Sequence, residues 1–177
     1  MSRLNPTQHW ENLLVPVKGY IEGYALDFSA ALADKDDDFK AGTLCHLDSD
    51  GKIARGCGDA QMPVWAIYNA DQPSVQGDYG NVEGGGMTVL VATGGFEVYS
   101  TAYDKTQTYS PNDLLTAGTG DDSGLVTKSP AAYNTRLICG AVSQGERTGV
   151  EKAGHIPQYG QDLLYFWTMF IPKVKTS

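Results

Sequence analysis

Phe39-Lys40-Ala41-Gly42-Thr43-Leu44-Cys45-His46-Leu47-Asp48-Ser49-Asp50-Gly51-Lys52-Ile53-Ala54-Arg55-Gly56 is the stretch that decides the fold class. Leu44 and Ile53 flank a polar turn in which Asp48, Ser49 and Asp50 can bond nearby backbone and Gly51 can take positive φ. Those are the chemical requirements of a β-hairpin. After a Gly-rich connection, Met62-Pro63-Val64-Trp65-Ala66-Ile67-Tyr68 supplies a further strand. Asp48-x-Asp50-Gly51 resembles the start of a calcium loop, but a third oxygen ligand and the distal Glu are missing, so turn chemistry accounts for it.

The same plan returns downstream. Tyr109-Ser110-Pro111-Asn112-Asp113 opens a short apolar strand, Leu114-Leu115-Thr116-Ala117. A turn rich in Gly, Asp and Ser follows, then Leu125-Val126-Thr127 and the strand Arg136 to Ser143. Gly51 aligns with Gly124 and Ala66 with Ala141 at a near-constant offset, which suggests a weak internal duplication of segments 39–68 and 109–143. Between them, Met87 to Thr93 and Phe96 to Thr101 read as two strands joined at Gly94-Gly95, a hairpin. Val17 to Phe28 reads as one long strand, kinked or closely approached at Gly19 and Gly23. Ala70 to Gly86 is a long Gly-rich loop; no Lys-Ser/Thr or helix onset follows its glycines, so it is not a phosphate cradle.

The C-terminal run Asp162-Leu163-Leu164-Tyr165-Phe166-Trp167-Thr168-Met169-Phe170-Ile171-Pro172 is apolar on both faces. Such a strand must be central within a subunit or buried between subunits. Tyr165, Trp167, Met169 and Phe170 are therefore candidate self-association residues. At the other end, the first sixteen residues show neither strand nor helix periodicity and read as an extended arm, residues 1–16, ahead of a single β-rich domain, residues 17–177. Trp10, Leu13 and Leu14 on that arm need a surface to pack against. The fold class that results is all-β: a compact β-barrel or sandwich-like domain with an extended N-terminal arm and long Gly-rich loops.

Composition excludes several roles. The chain of 177 residues carries 13 basic and 21 acidic side chains, a formal charge of −8. Phosphate neutralisation needs concentrated Lys and Arg, so direct nucleic-acid binding is not expected. The longest apolar stretch falls well short of the roughly 20 residues of a membrane-crossing helix, and the N-terminus lacks the apolar core of a secretory signal. Synthesis and assembly in a cytosol are expected. Cys45, Cys57 and Cys139 cannot all pair within one chain, which argues against a disulfide framework and for reduced, buried thiols.

Catalytic constellations are sparse. His9 lies in the arm, His46 beside Cys45, and His155 in a late Gly/Pro loop. Cys45, His46, Cys57 and Cys139 could be imagined around zinc, but adjacent strand residues point to opposite faces. No nucleophile elbow, zinc-protease pair or dinucleotide fingerprint occurs. The acidic groups Asp34 to Asp38 and Asp121-Asp122 read as solvated turns. A non-enzymatic binding or structural role without a cofactor or metal is the expectation.

Ala41 to Asp48, Gly51-Lys52-Ile53 and Pro63-Val64-Trp65-Ala66-Ile67 resemble the small β-rich capsid decoration (cement) proteins of tailed bacteriophages, including the lambda-type head decoration proteins. Pro111 to Leu115, Gly124 to Lys128 and Ile138 to Ser143 also look like phage virion proteins. The resemblance implies a homotrimer on the capsid surface that binds the major capsid protein, assembled in the host cytoplasm. It also implies an N-terminal segment reaching the shell, with Leu4, Pro6, Trp10, Leu13 and Leu14 as capsid-binding residues. Other readings are a phage tail-tube or fibre-base component and, from a different class, a carbohydrate-binding module or β-barrel hydrolase using Trp10, Trp65 and Trp167.

Overall fold

The computed structural model describes residues 14–18, 27–31, 33, 42–66, 81–82, 86–90, 94–130, 136–148 and 162–173. They form β1 (Leu14–Lys18), β2 (Asp27–Ala31), β3 (Leu44–Leu47), β4 (Ile53–Arg55), β5 (Val64–Ala66), β6 (Asn81–Val82), β7 (Gly86–Leu90) and β8 (Gly94–Ser100). After these come β9 (Leu114–Ala117), a single 3-10 turn (Gly120–Asp122), β10 (Val126–Lys128), β11 (Ile138–Thr148) and β12 (Asp162–Ile171). The strands make two antiparallel sheets, ordered β1-β8-β12-β11-β9-β10 and β2-β7-β5-β3-β4, with β6 also paired to β7. The protein is all-β and sandwich-like, and no closed barrel forms among the described residues.

The shared core explains why the sheets stay together. From the second sheet, Leu44 and Trp65 meet Phe96, Val98, Leu115, Leu164 and Phe166 of the first. Trp65 and Phe166 are both fully buried, with ring centroids 6.3 Å apart in a tilted arrangement. Tyr103 and Tyr109 close one end, edge to face at 5.5 Å, and the Tyr109 hydroxyl donates to the Asp104 carbonyl. Each buried aromatic removes a large apolar area from water and contributes more through ring geometry.

Three expectations change. The stretch Val17 to Phe28 is not one strand, because β1 pairs with β8 in the first sheet and β2 pairs with β7 in the second. Leu14, Val15 and Pro16, assigned to the arm, already lie in the ladder opposite Ser100, Tyr99 and Val98. Nor do β7 and β8 form a hairpin: β7 pairs with β2 and β5, β8 with β1 and β12. Gly94 is a ladder residue opposite Met169 and not a turn residue. Alternation identifies strands, but partner choice follows the burial each pairing offers. For β8 the ten-residue apolar β12 is the better partner.

Segments 42–66 and 112–142 share one hydrogen-bonding scheme. Each is a hairpin whose first strand also pairs with a third, giving the orders β5-β3-β4 and β11-β9-β10. Gly42 N–H donates to Ala66 O and Ala66 N–H to Thr43 O; Asn112 N–H donates to Val142 O and Val142 N–H to Asp113 O. Gly42 and Asn112 both have positive φ, 91° and 74°. Gly56 N–H reaches Leu44 O as Ser129 N–H reaches Leu114 O, and Asp48 N–H reaches Lys52 O as Gly118 N–H reaches Leu125 O. Even the outer edges are capped alike, by Ala33 N–H on Ile53 O and Asp104 N–H on Val126 O. These bonds make Val142, one residue beyond Ala141, the counterpart of Ala66.

The turn of the later segment docks on the earlier one. Gly124 O accepts Leu44 N–H at 2.7 Å and Ser123 O accepts Arg55 Nε at 2.6 Å. A Cβ on Gly56 would overlap Ser123 Oγ, and one on Gly124 would come within 2.9 Å of both Arg55 Nε and Thr43 Cγ2. A second tie centres on Asp59. Its carboxylate accepts Leu137 N–H at 3.2 Å and faces Lys173 Nζ at 3.3 Å, and its carbonyl accepts Lys173 N–H.

Three outcomes test this packing. Gly124→Ala, with φ +94° and no room for Cβ, is expected to lower the unfolding free energy in urea by about 1–3 kcal/mol. Thr116 is fully buried and its Oγ1 meets no hydrogen-bond partner among the described residues, so Thr116→Val is expected to be neutral or to stabilise by about 1 kcal/mol. The third concerns acid. The Leu137 N–H, then Lys173 and Arg136, hold the Asp59 carboxyl below its ordinary 3.8, against a smaller desolvation effect. A depressed folded-state value contributes stability above the unfolded-state value, and that stability disappears as pH falls through the folded-state one. Asp59→Asn is therefore expected to show a shallower loss of urea midpoint than the wild type as the pH is taken below 3.8.

Candidate functional site

Side chains with chemical potential are held in structural bonds. Asp48 Oδ1 accepts Asp50 N–H at 2.9 Å and Lys52 N–H at 2.8 Å, which makes it the organiser of the β3–β4 turn. Asp104 accepts from Thr106, Gln107 and Thr127, and Asp113 accepts Ser110 N–H and pairs with Lys128 at 2.8 Å. Hydrogen bonds from Thr106 to Asp104 and from Lys128 to Asp113 hold both carboxyls below their usual range. Asp121 and Asp122 sit exposed in the 3-10 turn. His46 Nδ1 lies 2.9 Å from Gly56 O.

The thiols are tuned away from reactivity. Cys45 is buried and donates to Thr43 O at 3.2 Å, while the neighbouring His46 is half-buried on the other face of β3. Cys57 donates to Gln61 O at 3.3 Å; burial, with a smaller effect of Asp59, pushes its pKa up to about 12. Burial also pushes the Cys139 thiol upward. Thiolate is the nucleophilic and metal-binding form, so neither thiol presents it near neutral pH. Among the described residues, no group of three His, Cys, Asp or Glu side chains could hold a metal ion.

The candidate contact residues divide into two groups. Leu4, Pro6, Trp10 and Leu13 lie outside the described residues, as do His9 and His155. Leu14 is the first residue of β1, which lies at the edge of the first sheet. Pro16 stands within this edge strand and lacks an N–H, the position at which a strand proline is tolerated. It is followed by an irregularity in register before Lys18.

The second group is on β12, the strand between β8 and β11. Tyr165 is only 6% exposed and packs on Tyr99, ring centroids 5.3 Å apart. Trp167, Met169 and Phe170 are half-buried, and Phe170 leans on the core cluster. Trp167 lies across the ladder from Ala141 and Glu97. Glu97 is itself buried and accepts Gln144 Nε2 at 2.9 Å. Trp65, considered above for sugar stacking, is fully buried in the core, and Trp10 lies outside the described residues.

Sequence reasoning missed Arg55, Asp59 and Ser123, whose roles depend on contacts between residues far apart in the chain. The one local signal was the Arg55-Gly56 pair, a basic residue beside a glycine at a strand end. No family model, curated protein or solved structure matches this chain.

Proposed function

We propose that the chain is a virion structural protein, a decoration protein that binds the outer surface of a phage capsid and stabilises contacts between major capsid subunits. It acts as a homotrimer and transforms no substrate. The observation that carries this reading is the seating of β1. Four residues of β1, Leu14, Val15, Pro16 and Lys18, pair along β8 at the edge of the first sheet. Leu4, Pro6, Trp10 and Leu13, which precede β1 in the sequence, supply apolar anchors for a neighbouring protein. Supporting this, the described aspartates at 48, 59, 104 and 113 and His46 are engaged in turns and inter-strand ties.

Repetition of such an arm in a trimer turns modest individual contacts into durable attachment through effective concentration. A net charge of −8 keeps the body from adhering unspecifically to phosphate polymers. The half-buried Trp167, Met169 and Phe170 fit contact with another subunit better than Tyr165, which is covered within its own chain.

Removing residues 1–13 spares β1 and is expected to leave the body folded. Co-sedimentation with expanded shells lacking decoration is expected to fall by about tenfold or more, since each buried apolar anchor contributes about 1.5–3 kcal/mol. The full-length chain is expected to raise the temperature at which those shells break. Unchanged attachment after the deletion overturns the role of the arm. A monomer that ignores shells and binds glycans would put a carbohydrate-binding module in place of this reading, and a hexameric ring would put a tail-tube component there.

A further inference from the structure

The two segments that share a hydrogen-bonding scheme each carry a turn and a docking point, but only one pair meets inside the chain. The turn at Ser123-Gly124 fills the docking point made by Leu44 N–H and Arg55. The counterparts in the other direction are the turn at Asp50-Gly51 and the docking point at Leu114 and Lys128. Lys128 sits across from Leu115 as Arg55 sits across from Cys45, and Leu114 pairs with Ala141 as Leu44 pairs with Trp65.

The turn of this second pair is open, and its docking point is in part engaged within the chain, Lys128 Nζ lying 2.8 Å from Asp113 Oδ2 and 3.5 Å from Thr108 O. Asp50 and Gly51 are exposed, nothing lies within 4 Å of a Cβ placed on Gly51, and neither carbonyl accepts a hydrogen bond among the described residues. Along an antiparallel ladder the bonded directions alternate, so the Leu114 N–H points away from β11, as the Leu44 N–H points away from β5. Outside the strand ladders no described acceptor meets it. Lys128 keeps 38% of its side chain exposed although it pairs with Asp113.

We infer that the Asp50-Gly51 turn of one copy docks on the Leu114–Lys128 point of a second copy, repeating between chains the contact that Ser123-Gly124 makes within one. The occupant is suggested by the repeated hydrogen-bonding scheme: Asp50 brings a carboxylate that shares the Lys128 ammonium with Asp113, where the internal version brings the Ser123 carbonyl to Arg55. At the second docking point Lys128 stands in place of Arg55, Asp113 in place of Thr43 and Ser129 in place of Gly56, where the room a Cβ would need is used internally by Ser123 Oγ.

Because the turn and the docking point are different surfaces of one molecule, the contact is head-to-tail and closes into a ring when its rotation permits. The inference names the contact between copies and rests on the reading of this chain as an assembly protein. It does not depend on what surface the ring covers, so shell attachment and self-association are measured separately.

The test uses the full chain in mass photometry and sedimentation velocity. The wild type is expected to self-associate with rising concentration. Asp50→Lys, at an exposed turn position whose side chain makes no described bond, is expected to weaken association by about tenfold or more, and Lys128→Glu likewise. The combined Asp50→Lys/Lys128→Glu chain restores the attraction with its signs exchanged and is expected to recover most of the association. As a second readout, mixing Asp50→Cys with Lys128→Cys under mild oxidation is expected to give a covalent dimer that neither forms alone. A wild type that stays monomeric up to its solubility limit overturns the inference. So do single reversals without effect, or a double reversal that fails to recover association while all variants keep the wild-type melting temperature.

Discussion

Two backbone carbonyls, those of Ser123 and Gly124, tie the turn between β9 and β10 of one sheet to Arg55 and Leu44 of the other. They accept from Arg55 and Leu44, residues of the opposite sheet, and the Arg55 bond is charge-assisted and so stronger than a neutral one. The approach is possible because positions 56 and 124 are glycines with left-handed backbone and no side chain to keep the turn away. Leu44 thereby serves twice, as a core side chain and as the donor that fixes the turn over it.

From that contact the rest of the arrangement follows by packing. With the turn fixed, Val126 reaches the same cluster as Leu44 and Trp65, and Trp65 meets Phe166 of β12. β12 lies between β8 and β11, and its Leu163, Leu164, Tyr165 and Phe166 are buried within the chain without any appeal to a partner. Trp167, Met169 and Phe170, toward its C-terminal end, are covered less completely. Asp59 holds that end to the start of β11, so the last strand is restrained at a point where its own ladder runs out.

The hairpins were the legible part of this fold. Asp48 and Gly51 announced the β3–β4 turn because side-chain acceptors and left-handed backbone are local requirements, visible in adjacent residues. The repeated plan at 109–143 was visible for the same reason. Partner choice was not: Gly94-Gly95 looks like a turn when only its neighbours are considered, and it became ladder because β12, some seventy residues away, offered β8 a longer apolar pairing. Asp59 and Arg55 were invisible as ties, since an isolated charged residue in a loop carries no mark of the distant N–H or carbonyl it will meet. Of residues 1–16, assigned to an arm, Leu14, Val15 and Pro16 proved to be ladder residues, because their pairing with β8 is set by a strand some eighty positions away.

Pro16 has a consequence for how densely such molecules can be crowded. A flat, open strand at the margin of a sheet is a template on which identical chains stack without limit. β1 instead has a proline and a break in register within five residues, and the opposite margin, β10, is overlaid by the Tyr103–Asp104 segment. Among the described residues, both margins of the first sheet are therefore poor templates for unlimited edge-to-edge stacking of identical chains.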